Sequence, residues 1–405
     1  MSLSRKSSAC LIILSGLVYF SVHLTRYNLA AVLQSLAADL SVDEAYIGLA
    51  LTGHAVLYGA GQIINGIIGE KVPPRIFVTV GMLGSALCCG GVWLAHRADT
   101  VVALWCVNGL FQSMIWPSLV RCMAEMCDER TYHIGALSVS YAGVASSFAV
   151  YSLLAPLCLS FFSFRTAFLI PAVIGILTAL CWFFFLPKGQ QTLTNTTQVS
   201  TVKGRTLSVL WQAGIPLIAV GIVCHGFLRD GVQSWMPSML SDIFRMPVAT
   251  ATVCTSLLPL FGVGTIFLAD LLFRYTKNEI SASLILWLVC TAAAAALFLF
   301  FPTNEVTAVL LLTLIHGCIS GINHLLVSCL PRRFVPYGCV ATVTGLTNAF
   351  TYVGSAVSGY GLARFRSMFG WRATVLLFGL VCVLGIAAAL PVIRRKFFHK
   401  SSADA

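Results

Sequence analysis

The stretch RYNLAAVLQSLAAD at residues 26–39 and the stretch RDGVQSWMPSMLSD at residues 229–242 decide the fold. Each opens on an arginine and closes on an aspartate 13 residues later, and the two copies stand 203 residues apart. A second feature recurs downstream of both. Gly66-Ile67-Ile68-Gly69-Glu70-Lys71 is followed by Arg75, and Asp270 and Arg274 follow with the two acids 200 residues apart. One coincidence of this kind is common, but three in the same order predict a duplicated unit. Parallel repeats, related by an axis along the membrane normal, build the two halves of many membrane carriers.

What lies between these landmarks is apolar. Of the 405 residues 58% are hydrophobic and 10% charged, with mean hydropathy +0.89. Water-soluble domains carry about 25% charged residues, so lipid must surround most of this chain. The apolar runs are continuous and about 20 residues long, the length a helix needs to cross the hydrocarbon. A barrel would need short alternating strands instead. Helices are predicted at 8–38, 45–69, 74–96, 101–121, 131–160, 165–186, 209–242, 248–273, 280–302, 305–329, 338–364 and 371–393. The breaks carry Pro73-Pro74, Pro187-Lys188-Gly189, Pro302 and the Pro331–Pro336 segment. The predicted fold is an all-α membrane protein of twelve transmembrane helices in two pseudo-symmetric six-helix bundles. The bundles are expected at 1–187 and 209–393, with a polar linker at 188–208 and a tail at 394–405. Arg5 and Lys6 precede a run too long for a cleaved leader, which reads as the first span.

The net charge of +11 is expected to reflect topology rather than nucleic-acid binding. With both termini inside, 17 lysines and arginines fall in cytoplasmic segments and 6 in outer ones, as the positive-inside rule requires. The expected location is the cell inner (plasma) membrane. Fifteen cysteines sit mostly alone in apolar runs without metal-ligand spacing, so no metal, disulfide or cofactor is expected. No HExxH, P-loop or GxSxG pattern occurs. The chain therefore reads as a non-enzyme whose transport is secondary.

Polar side chains recur at helical spacing on selected spans. They are His23, Arg26 and Tyr27; His54, Tyr58 and Gln62; Asn108, Gln112 and Trp116; Tyr141 and Tyr151; His225, Arg229 and Gln233; His316 and His324; and Asn348. The third, sixth, ninth and twelfth helices are nearly devoid of them. Interhelical hydrogen bonds worth about 0.6 kcal/mol would explain any one such residue, but not a pattern that spares every third helix. Arg26 lies 13 residues from Asp39, roughly 20 Å along a helix and hence near the midplane; Arg229 is equivalent. A guanidinium there costs about 2.5–3.5 kcal/mol to insert on translocon scales. Two such arginines on one cavity would clamp an oxyanion through their planar forks. Asp230 is adjacent to Arg229, so about 100° separates them on a helix and poor pairing is expected. Two readings stay open, an anion site and a structural charge cluster. Glu70, Lys71, Arg75, Asp270 and Arg274 are expected to form a cytoplasmic gate.

Particular strings resemble a known family. Val22-His23-Leu24-Thr25-Arg26-Tyr27-Asn28, Ile47-Gly48-Leu49-Ala50-Leu51-Thr52-Gly53, Leu57-Tyr58-Gly59, Phe111-Gln112-Ser113-Met114-Ile115-Trp116-Pro117, Phe227-Leu228-Arg229-Asp230-Gly231 and Phe369-Gly370-Trp371 are similar to segments of the organophosphate:phosphate antiporters. That family includes the glycerol-3-phosphate and hexose-phosphate carriers and has the major facilitator fold. The resemblance implies a rocker-switch exchanger in which Arg26 and Arg229 bind phosphate. It places Tyr27 and Gln62 where the best-known carriers have lysines, and Val144 where the glycerol-3-phosphate carrier has histidine. Together with the polar faces of the spans, the expected site comprises Arg26, Arg229, Tyr27, His23, Tyr58, Gln62, Gln112, Trp116, Tyr141, Gln233, His324 and Asn348. The expected partners are a small anion (an organophosphate, with inorganic phosphate the candidate exchange partner) and the lipid bilayer. The chain is expected to act as a monomer and to bind no nucleic acid. A transporter-like sugar-phosphate receptor and a carrier of a non-phosphate organic anion remain alternatives.

Overall fold

In lipid every backbone N–H and C=O must be satisfied within the protein, and each apolar run meets this by closing on itself as a helix. The computed structural model describes residues 5–187, 199–255, 257–300 and 304–395. We label the spans α1 (Arg5–Ala31, continued by Leu33–Asp39), α2 (Glu44–Gly69), α3 (Pro74–Leu94), α4 (Ala98–Met126), α5 (Glu129–Phe161) and α6 (Thr166–Phe185). The later six are α7 (Ile215–Phe244), α8 (Val248–Thr255 and Leu257–Thr276), α9 (Glu279–Leu299), α10 (Glu305–Tyr337), α11 (340–369) and α12 (371–393).

Departures from the predicted boundaries have local causes. A 15-residue helix, Val199–Ala213, occupies the end of the expected linker. Gly214, at φ 75°, separates it from α7, so α7 starts six residues later than predicted. Linker residues 188–198 and tail residues 396–405 lie outside the described residues. Gly370, at φ 77°, parts α11 from α12; a left-handed backbone that L side chains resist suits glycine. Prolines break the long spans from within. Pro117 has no N–H for the Ser113 carbonyl, and α4 breaks at Met114. Pro156 follows a π turn at Val150–Leu154. Pro331 and Pro336 end α10 in a π turn, His324–Cys329, followed by a 3-10 segment, Leu330–Tyr337.

Contacts divide the chain into two compact units, Met1–Thr194 with Gly338–Leu346 and Asn195–Tyr337 with Thr347–Ala405. In the first, α1 packs on α5, α2 on α4 and α3 on α6. In the second, α8 packs on α10, α7 meets α11 where Gly226 faces the Thr351 carbonyl, and α9 meets α12 where Trp287 covers Gly385. The second unit thus repeats the pairing of the first, six helices on. The terminal aspartates of the deciding stretches also do the same job. Asp39 accepts from Arg165, at the start of α6, at 2.6 Å. Asp242 accepts from the Trp371 indole, at the start of α12, at 2.9 Å, with Arg366 at 3.3 Å.

The outward faces carry large apolar side chains. Leu87 on α3, Leu177 and Phe184 on α6, Leu288 on α9 and Leu380 on α12 are all exposed. In water such surface would aggregate; in a bilayer it is the expected contact with lipid. The spans of highest mean hydropathy are α12 at 2.7, α6 at 2.4 and α9 at 2.3. The chain is a multi-pass membrane protein.

Candidate functional site

In the first unit an aromatic stripe runs along α1. Tyr19, His23 and Tyr27 follow at i, i+4 and i+8 and so share one face. The His23 ring centroid is 4.3 Å from Tyr19 and 5.4 Å from Tyr27. Trp116 of α4 closes on Tyr19 at 5.0 Å, and Tyr151 of α5 faces Tyr27 at 6.2 Å. The half-buried Arg26 guanidinium lies 4.6 Å from the centre of the Tyr58 ring on α2, a cation–π contact that orients the fork. One turn beyond Tyr58, the amide of Gln62 is fully buried and bonded by neither its oxygen nor its nitrogen, and the buried Trp116 indole N–H is also unpartnered. Buried polar groups are nearly always satisfied, so these two are exceptions among the described residues of this unit.

Gln112 has a different task. Its Nε2 donates to the Thr25 Oγ1 and Ser85 Oγ, both at 3.1 Å, and its Oε1 faces the His54 Nε2 at 3.3 Å. Asn108 donates to the Thr25 carbonyl at 3.0 Å and accepts from Ser85 at 2.7 Å. This buried network pins the turn of α1 that carries Arg26 to α3 and α4. Tyr141 is half-buried on α5.

In the second unit Arg229 sits midway along α7. Its Nε donates to the Asp230 Oδ1 at 2.7 Å, and its Nη2 to the Asp230 Oδ2 at 3.2 Å and the Ser355 Oγ of α11 at 3.3 Å. This corrects the expectation that the adjacent acid pairs poorly. The long arginine side chain folds back across the 100° between them and presents its fork to both carboxylate oxygens. The pair stays partly open, with side-chain exposure 26% for Arg229 and 34% for Asp230. Gln233, one turn on, is exposed, and Asn348 is half-buried. His324 is fully buried in the π turn, its Nε2 3.4 Å from the Cys329 Sγ. Tyr19 and Ser355 escaped the sequence reading. Tyr19 lies one helical turn before His23 and was within reach of the pattern; Ser355 is 126 residues from Arg229 and gave no signal.

The residues expected to form a gate make different contacts. The Glu70 Oε1 accepts from the Thr342 N–H at 2.9 Å, in the first turn of α11, where the helix has unsatisfied donors. Its Oε2 is 3.6 Å from the Arg121 Nε, and Arg121 also holds Glu125 at 2.7 Å and donates to the Gly69 carbonyl. Arg75 instead ties α3 to the end of α6, donating to the Phe183 and Leu186 carbonyls at 2.6 and 2.5 Å. Lys71 is exposed. Asp270 and Arg274 lie inside α8 rather than beyond it and pair at 2.8 Å, with Asp270 buried.

Burial pushes the Glu70 carboxyl up to about 7 from an ordinary 4.5, against the opposing Thr342 N–H and Arg121. A conformation that releases Glu70 to water restores the ordinary value. The contact is therefore fully favoured below the ordinary value and is weakened as pH rises through about 7. Cys339 is buried and within electrostatic reach of Glu70, which makes it a reporter. Between about pH 6 and 8, thiol labelling of Cys339 is expected to rise several-fold relative to the Glu70→Gln variant at the same pH. A constant ratio would contradict this.

Among the described residues no three His, Cys, Asp or Glu converge as metal ligands. The family model described as Major Facilitator Superfamily matches residues 16–359. The glycerol-3-phosphate transporter of Bacillus subtilis (strain 168) is 23% identical over 411 residues, spanning 91% of this chain and 88% of the relative. Sugar phosphate exchanger 3 of Mus musculus is 23% identical over 418 residues, spanning 88% and 82%. The crystal structure of the transporter FucP in the outward conformation superposes with TM-score 0.76 at 13% identity, covering 95% of this chain and 99% of that one.

Proposed function

We propose, on the premise that the chain belongs to the Major Facilitator Superfamily, that it is a secondary transporter of a small phosphorylated metabolite. It works by alternating access, with inorganic phosphate as the exchange partner. The observation that carries this reading is one half-buried arginine within the first span of each repeat, Arg26 on α1 and Arg229 on α7. Relatives named for glycerol-3-phosphate and sugar phosphates support the substrate class.

In this reading Arg26 and Arg229 bind the same anion, with the unpartnered Gln62 amide and Trp116 indole as further donors. Tyr19, His23, Tyr27 and Tyr151 offer flat apolar faces to the carbon skeleton. Anion binding replaces Asp230 on the Arg229 fork, so the ion pair holds the site ready and is exchanged for substrate. Glu70 and Arg121 gate the cytoplasmic end through the start of α11. Both termini are cytoplasmic and the protein is a monomer in the inner (plasma) membrane, an orientation supported by 17 lysines and arginines against 6.

Thermal shift of the purified protein tests the substrate class, because a ligand that binds only the folded state raises its apparent stability by mass action. Glycerol-3-phosphate, glucose-6-phosphate and inorganic phosphate are expected to stabilise it. Stabilisation by carboxylates alone would replace the reading with that of a carrier of a non-phosphate organic anion.

A further inference from the structure

Behind the Arg229–Asp230 pair lie two histidines that the reading above leaves without a task. His225 precedes Arg229 by one turn of α7, and His316 stands on α10, which packs against α7. They are 1% and 7% exposed, and none of their four ring nitrogens has a hydrogen-bond partner. The Ile222 carbonyl approaches the His225 ring and the Leu258 carbonyl of α8 the His316 ring, neither in hydrogen-bond geometry. Both rings lie within electrostatic reach of Arg229 and Asp230, and His225 of His316. Cys224 of α7 and Cys318 of α10 sit within reach of Cys382 of α12, and α11 contributes the Ser355 hydroxyl.

A buried imidazole with no hydrogen bond is an uncommon arrangement, and two beside one ion pair make a site for something small. Space and chemistry favour a proton: both rings are buried, and each has a nitrogen lone pair to offer. We propose that His225 and His316 form a proton-binding site that fills when an anion takes Arg229 from Asp230, so that proton uptake accompanies substrate binding. Charge accounts for the coupling. With Arg229 on Asp230 the carboxylate is neutralised, and a proton on either ring would face a guanidinium at close range. When the anion occupies the fork, Asp230 is released and its negative charge favours an imidazolium beside it. One proton enters from water and binds one ring nitrogen; no covalent bond breaks. The inference rests on the anion-binding role given to Arg229.

Histidine-selective nitrogen NMR tests this on the whole protein in nanodiscs. The chain has eight histidines, and the signals lost in His225→Asn and in His316→Asn assign the pair. On adding saturating inorganic phosphate at about pH 6.5, one assigned ring should pass from neutral to imidazolium, its apparent proton affinity rising about tenfold. Arg229→Gln should produce the same imidazolium with no ligand at all, by releasing Asp230. If phosphate fails to bind the wild type, the anion role of Arg229 is wrong, and the Arg229→Gln spectrum still decides the proton site. If both rings stay neutral in Arg229→Gln, and also in phosphate-saturated wild type, down to about pH 5.5, the proton site is refuted.

Discussion

Arg229→Lys and Arg26→Lys are each expected to weaken binding of a phosphate ester by about 10- to 100-fold, the loss of one hydrogen bond to a charged group. Lysine keeps the charge but not the planar fork. At position 229 the fork is already in use, donating to both oxygens of Asp230, the same two-point geometry a phosphate presents. At position 26 the guanidinium is set by the Tyr58 ring at 4.6 Å, which an ammonium on a flexible stem would not match. Both variants should remain folded and monodisperse, because lysine keeps the positive charge at each position. The double variant should lose little beyond the worse single one, since two residues on one ligand are not additive. Calorimetric titration with glycerol-3-phosphate reads all three. Additive losses would place the arginines at separate anions, and unchanged affinity in either single variant would remove that residue from the site.

The second large effect is structural. A Cβ at Gly226 would stand 2.1 Å from the Thr351 carbonyl oxygen, and one at Gly354 would stand 2.1 Å from the Val223 carbonyl oxygen. The two helices α7 and α11 thus touch backbone to backbone on both sides of the contact, and neither obstacle is a side chain that can swing away. Gly226→Val is expected to cost more than the usual 1–3 kcal/mol of overpacking and to yield aggregated or strongly destabilised protein. Gly221→Ala, one turn and a half earlier on α7 with nothing within 4 Å of the added Cβ, is the control and should melt near the wild type. Equal melting temperatures for Gly226→Val and wild type would show that α7 and α11 do not approach this closely in the membrane. The same geometry recurs in the first unit, where a Cβ at Gly345 would meet the Gln62 carbonyl at 2.1 Å.

Much of this fold is written at short range. Continuous apolar runs define the spans, and the Arg26–Asp39 and Arg229–Asp242 copies reveal the repeat; in the structure Asp39 and Asp242 receive donors from the starts of α6 and α12. The prolines were visible as letters, yet which of them would break a helix depended on the packing. Pro117 and Pro156 interrupt their spans, whereas Pro171 and Pro237 lie inside continuous helices.

The site was legible as residue types more than as roles. Gln112 looked like a ligand group because it shares the polar face of its helix, but its amide is committed to Thr25, Ser85 and His54. Glu70 signalled a gate by its place after α2, while its partner Thr342 stands 272 residues away, beyond anything spacing can show. Adjacent residues can mislead as well: a helical wheel separates Arg229 from Asp230, and side-chain length closes the gap. The isolation of His225 and His316 is a property of what surrounds them, and no letter in the sequence records it.

Exchange across a membrane is the most direct test of the account. The purified protein is reconstituted into liposomes loaded with inorganic phosphate, and labelled glycerol-3-phosphate or glucose-6-phosphate is presented outside. Uptake is predicted to depend on internal phosphate, to exceed that of phosphate-free liposomes by about tenfold, and to fall to that background in Arg26→Lys and Arg229→Lys, in line with the loss of a charge-assisted contact. Tight binding of the esters without exchange in either direction would contradict transport and identify a receptor.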